Sequence, residues 1–239
     1  MTFWQLLTQS FVVNALIAVA LVALAAGAIG YFVVVRRQAF AAHAIGHVGF
    51  AGAAGAVWLG LSPVVGLLVL CVGAGAAIGL GARELDERDA VVGITLTGAL
   101  GLGVLFISLY SGYANATYSI LFGQILGVSH GQLVSLFVMA VVTITTLSVI
   151  ARPLLFTSVD PQAARSRGVA VGAISVIFMV MLAVATVAAI QVVGVLLTFS
   201  LLVAPGATAS VMTVRPWRGV ILSTVVALIC GVGGVVLAV

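Results

Sequence analysis

All nine basic residues of this chain are arginines, and they fall into four clusters that divide a strongly apolar sequence into uncharged stretches. Arg36 and Arg37 form the first cluster, Arg83 and Arg88 the second, Arg152, Arg165 and Arg167 the third, and Arg215 and Arg218 the fourth. The uncharged tracts run from 1 to 35, 38 to 82, 90 to 151, 168 to 214 and 219 to 239. A bilayer core takes about 20 helical residues to cross, so each terminal tract holds one helix and each internal tract two. With two crossings between successive clusters, all four clusters lie on one side, and the excess of arginine marks that side as cytoplasmic. Both termini then face outward.

Composition supports a membrane chain. At 64% hydrophobic and 6% charged, with a mean hydropathy of +1.39, the chain lacks the polar surface a soluble domain of this size needs. Backbone groups in lipid must be satisfied internally, and the apolar runs are too long and too even for barrel strands. The expected fold is all-α: a single polytopic transmembrane domain over residues 1 to 239, with about eight transmembrane helices and one short cytoplasmic coupling helix. The formal charge of +4 follows from the positive-inside rule, so no nucleic-acid partner is expected. Residues 1 to 14 carry no Lys or Arg, unlike the basic region of a signal peptide, so the first helix is expected to be retained. Cys71 and Cys230 have no second ligand at metal spacing and read as small apolar residues.

The expected helices cover about 11 to 35, 39 to 58, 64 to 82, 89 to 110, 131 to 151, 170 to 189, 193 to 213 and 218 to 238. Ser111 to Thr117 reads as a polar outward loop, and Tyr118 to Val128 as a short re-entrant or interfacial piece on the outer face. Loops this short leave no room for a catalytic or nucleotide-binding module, so energy must come from another chain or an ion gradient.

Two short segments carry chemistry. Ser158 to Gly168 reads as a complete small helix about 10 Å long. Asp160 caps its N-terminus, Pro161 fits the first position, Arg165 and Arg167 lie in the last turn and Gly168 closes it. Such a helix is marginal in water; it is either a well-capped connector or a docking element for a cytosolic partner. The second segment is His43-Ala44-Ile45-Gly46-His47. Its i, i+4 spacing puts both imidazoles on one face, where they can chelate a borderline-soft cation such as zinc. Ionisable groups inside membrane segments mark pathways; the alternative is a pair hydrogen-bonded near the interface. A zinc-protease signature is absent, because no Glu follows His43. His130 stands alone and reads as interfacial. Gly46, Gly49, Gly52 and Gly55 form a small-residue stripe that suits close helix packing or a locally unwound helix exposing carbonyls to an ion.

These residues resemble a family, the membrane permeases of bacterial ABC importers for zinc, manganese and iron. His43 to Gly52 is similar to the family's D-A-x-S-H-A-x-x-P-G motif, and Glu87 to Ile94 to its E-D-A-A-I-G-I stretch. Leu121 to Val128 resembles L-F-G-N-I-L-G-V, Val159 to Gly168 resembles F-D-P-E-F-A-R-A-L-G, and Gln191 to Leu197 with Ala204 to Ala209 resemble Q-A-V-G-V-L-L and P-A-A-T-A. The resemblance implies a multi-pass permease of the bacterial cytoplasmic membrane that is not itself an enzyme and binds no prosthetic group. It implies a homodimeric pore, an extracytoplasmic metal-binding protein, and a cytosolic ATP-binding subunit docked on Asp160, Pro161, Gln162, Ala163, Ala164, Arg165, Arg167 and Gly168. It places the family's metal-contacting acid at His43 and its histidine at His47. Imidazole in place of a carboxylate biases the site from manganese toward zinc, with manganese or iron as the other cargoes. Ala51 stands where the family has proline, which leaves the kink of the second helix open, and the chain is somewhat short for the family, as if a terminal extension were missing. Two other readings are a siderophore or cobalamin permease, with structural histidines, and a proton-coupled metal carrier. The last would need membrane carboxylates, whereas the five acids lie in cytoplasmic segments.

Overall fold

The computed structural model describes residues 9–81, 85–109 and 123–238. Eight α-helices follow in order: α1 Ser10–Val35, α2 Ala39–Trp58, α3 Pro63–Gly81, α4 Leu85–Leu109, α5 His130–Val159, α6 Pro161–Ser166, α7 Val171–Met212 and α8 Pro216–Ala238, with a 3-10 turn at Ile125–Gly127 before α5. No strand occurs among the described residues. The loop from Ser111 to Thr117 and the start of the re-entrant piece lie outside the described residues, as does Arg83.

Seven of these helices are long and apolar enough to cross a membrane. One of them, α7, has 42 residues and would be about 63 Å long if straight, twice the thickness of a bilayer core. It is not straight. Phe178 lies beneath the Arg36 guanidinium, while Gly206 packs on the backbone of Gly30. In a straight helix those two α7 positions would be about 42 Å apart, yet they meet α1 within about 9 Å of its length. The reversal is at Gly194, whose φ of 78° and ψ of 169° interrupt the helix. The first arm runs antiparallel to α3, with Gly79 against Val176 and Gly75 against Met179 and Ala183. The second arm returns to the arginine-bearing end. The expected helices 6 and 7 are therefore two arms of one bent element, and the eight expected passes stand.

The helices form two layers. α1, α2 and α7 are largely buried, whereas α3, α4, α5 and α8 leave most of their surface open. Interior faces are lined by small residues, because lipid supplies no hydrophobic drive between helices and close backbone approach must replace it. Gly27 meets Thr224 and Ala227 of α8, and the Ser223 hydroxyl donates to the Gly27 carbonyl at 2.7 Å. Gly52 of α2 lies against Gly66 of α3. The exposed large side chains of the outer layer, such as Ile94, Val104, Val149 and Ile229, suit acyl chains.

The local signals explain the helix ends. Gly60, at φ 72°, closes α2, and Pro63 opens α3, following the usual asymmetry of glycine and proline at helix termini. Ser129 and Gln132 form a capping box at the start of α5. Two expectations change. α5 does not stop at Ala151 but continues to Val159: Pro153 is accommodated within it, and the apolar Leu154 to Phe156 carry the helix past Arg152 to the Asp160 cap. α2 is continuous from Ala39 to Trp58, so its glycines do not unwind it. Gly49, Gly52 and Gly55 are packed against neighbours and only Gly46 opens onto free space.

Candidate metal centre

Helix α2 holds His43 and His47 one turn apart, as helical periodicity requires. Their rings lie edge to face with centroids 4.6 Å apart, and both side chains are half-buried. They border a cleft between α2 and the second arm of α7, lined by Ala42, His43, Gly46 and His47 on one side and Val195, Leu196 and Phe199 on the other. Phe199 stacks edge-on to His43 at 5.1 Å. Gly46 has no side chain and nothing near its Cβ position, so the helix face beside the two imidazoles is open.

The bend at Gly194 creates the far wall. Its backbone lies in a region that only glycine occupies readily, and the Thr198 hydroxyl donates back to the Gly194 carbonyl at 2.6 Å. Gly123, at φ 75°, sits so close to the bend that an added Cβ would meet Val192 O and Gly194 N. The short outer segment containing Gly123 thus closes over the apex, and the Asn14 side-chain amide holds the nearby Val128 carbonyl at 3.5 Å.

Chemically, two imidazoles with open positions can take a cation and release it. Among the described residues no group of three or more His, Cys, Asp or Glu surrounds a common point. Cys71 is not part of the cleft. Its thiol donates to the Ile45 carbonyl at 3.4 Å, and Ile45, two residues from either histidine, faces the opposite side of α2. His130 is exposed at the start of α5. Phe199, Val195 and Leu196 were not singled out from the sequence as site residues. The sign they carried was Gly194 within the Gln191 to Leu197 stretch.

The second predicted constellation lies elsewhere, at the arginine-bearing end. α6 is capped as its residues require: Asp160 Oδ1 accepts from the Ala163 N–H at 2.8 Å, Pro161 takes the first position and Gly168 turns out at φ 78°. Ala164 is fully buried and pins the helix to the bundle, while Asp160, Pro161, Gln162, Arg165, Arg167 and Gly168 are exposed. Arg167 lies over the Phe156 ring at 5.6 Å.

The family model of the ABC 3 transport family matches residues 8–239. The chain belongs to that family. As an ABC 3 permease it is the membrane component of its transporter and not an enzyme. It is 35% identical over 219 residues to the manganese transport system membrane protein MntC of Halalkalibacterium halodurans, covering 89% of this chain and 73% of that protein. It is 26% identical over 211 residues to the high-affinity zinc uptake system membrane protein ZnuB of Haemophilus influenzae, covering 88% of this chain and 81% of that one. Among solved structures, PsaBC from Streptococcus pneumoniae in complex with Fab superposes with a TM-score of 0.83 at 26% identity, over 99% of this chain and 90% of that chain.

Proposed function

We propose that this ABC 3 permease moves a divalent transition metal ion into the cytoplasm, with His43 and His47 holding the ion in transit and zinc favoured. The observation that carries the reading is the histidine pair one turn apart on the wall of a small cleft inside the membrane-spanning bundle. The cavity volume is about 90 Å³. A water needs only about 10–15 Å³ of such space, so an ion with some of its waters fits. The imidazole at His43 favours zinc over manganese. A manganese cargo is the second reading, supported by the names of relatives such as MntC.

The working unit is two copies of this chain with a cytosolic ATP-binding subunit docked on Asp160 to Gly168 and an outer binding protein that delivers the ion. ATP hydrolysis on the separate subunit drives the cleft between outward and inward access. The test is elemental analysis of cells expressing the whole transporter, supplied with zinc, manganese and iron together. The reading expects zinc accumulation that His47→Ala abolishes with the protein still assembled. Manganese gain lost in the same variant would keep the site and change the cargo. No gain of any metal from a verified complex would overturn the reading.

A further inference from the structure

Arg36, at the end of α1, ties that end to the ends of α5 and of the first arm of α7. Its Nη1 donates to the Leu154 carbonyl at 3.4 Å, to Thr157 Oγ1 at 3.1 Å and to Ser158 Oγ at 3.2 Å, all on the last two turns of α5. Its guanidinium lies over the Phe178 ring of α7 at 5.4 Å, a geometry that adds cation–π attraction. Ser158 is two residues before Asp160, which caps α6. In the other direction, only Arg37 and Gln38 separate Arg36 from the start of α2, and His43 lies one turn inside that helix.

This corner has no slack. The Arg36 N–H bonds to Phe32 O, the Arg37 N–H to Val34 O, the Gln38 N–H to Val33 O, and the Ala42 N–H to Gln38 O. Arg37 adopts φ 55°, a conformation uncommon outside glycine, and Gln38 is 1% exposed. A displacement of Arg36 therefore passes into α2 rather than into a loop. The hydroxyls of Thr157 and Ser158 bond back to Leu154 O, so they too are fixed to the α5 backbone.

We propose that Arg36 is a positioning residue that carries movement of α6 through the end of α5 and the α1–α2 corner to His43 and His47. The proposal rests on the reading of α6 as the ATPase docking element and of the histidines as the ion site. A planar fork of fixed donors suits this role, because one rigid group engages several acceptors on α5 while its face rests on α7.

The test uses the complete transporter, with its ATP-binding subunit and binding protein, reconstituted in liposomes, reading ATP hydrolysis and metal uptake in the same sample. Arg36→Ala is expected to hydrolyse ATP at a wild-type rate while metal moved per ATP falls about tenfold, within the range of ordinary coupling energies. Thr157→Val with Ser158→Ala, which removes two acceptors and keeps the arginine, is expected to lower the same ratio. It serves as the decisive variant if Arg36→Ala fails to assemble. A wild-type ratio in an assembled variant overturns the proposal, as does loss of assembly in both, which would make the clamp purely structural. A wild-type transporter that moves no metal at all would instead sink the proposed function.

Discussion

On the proposed reading, His43 and His47 divide the work of the ion site unequally. His47 occupies the position that is histidine in the family resemblance, and His43 replaces an acid there, so His43 is where the choice of metal should respond. Restoring a hard carboxylate by His43→Asp is expected to raise manganese uptake relative to zinc about tenfold or more, because oxygen ligands suit manganese better than imidazole does. Competitive uptake of the two metals by vesicles holding the whole transporter measures this; an unchanged ratio would separate His43 from the ion. The pair itself was legible in the sequence because i, i+4 spacing needs only a helix. The rest of the cleft was not, since Phe199 reaches His43 through a reversal of α7 that no side-chain pattern announces. Arg36 was read only as a topology marker, because its acceptors Leu154, Thr157 and Ser158 lie more than a hundred residues away.

Among the elements, α7 and α6 make different demands. Gly194 holds a backbone conformation in which any other residue is strained by about 1–3 kcal/mol. Gly194→Ala should therefore lower the thermal stability of the purified permease and close the cleft, seen as lost metal uptake in the assembled transporter; a stable variant with normal uptake would mean that the bend tolerates a side chain. α6 depends on its cap. Asp160→Ala removes the 2.8 Å bond to the Ala163 N–H and costs about 1 kcal/mol of local helix stability. Weaker recovery of the ATP-binding subunit with the tagged permease is expected, and undiminished recovery would refute the docking role. This helix was readable residue by residue because capping is local. The end of α5 was misplaced by eight residues because Arg152 and Pro153 look like a stop, whereas an arginine near the end of a membrane helix can reach to the interface and tertiary packing absorbs the proline. The glycine stripe of α2 allowed unwinding or close packing in the sequence, and packing of Gly49 on Cys71, Gly52 on Gly66 and Gly55 on Phe106 decides it for three of the four glycines.

For the whole molecule, the spacing of arginine clusters was enough to obtain the eight passes, because charge placement and the thickness of a bilayer are both strong constraints. It could not reveal which helices are interior, since every span is apolar all round and carries little facial asymmetry. Small residues make that distinction: α1, α2 and the arms of α7 approach one another at Gly30, Gly49 and Gly206. Gly206→Val, which would drive a side chain into the Gly30 backbone, is expected to disrupt the α1–α7 packing and reduce the monodisperse yield in detergent, while Gly233→Val, at a position with nothing near its Cβ, should leave it unchanged. Everything proposed for transport depends on two imidazoles of one helix binding the ion in transit. X-ray absorption of zinc on the purified permease reads those ligands themselves. Two imidazole nitrogens at about 2.0–2.1 Å are expected in the wild type, with that signature lost in His47→Ala; a spectrum unchanged by the substitution would remove the histidine pair from the ion's path.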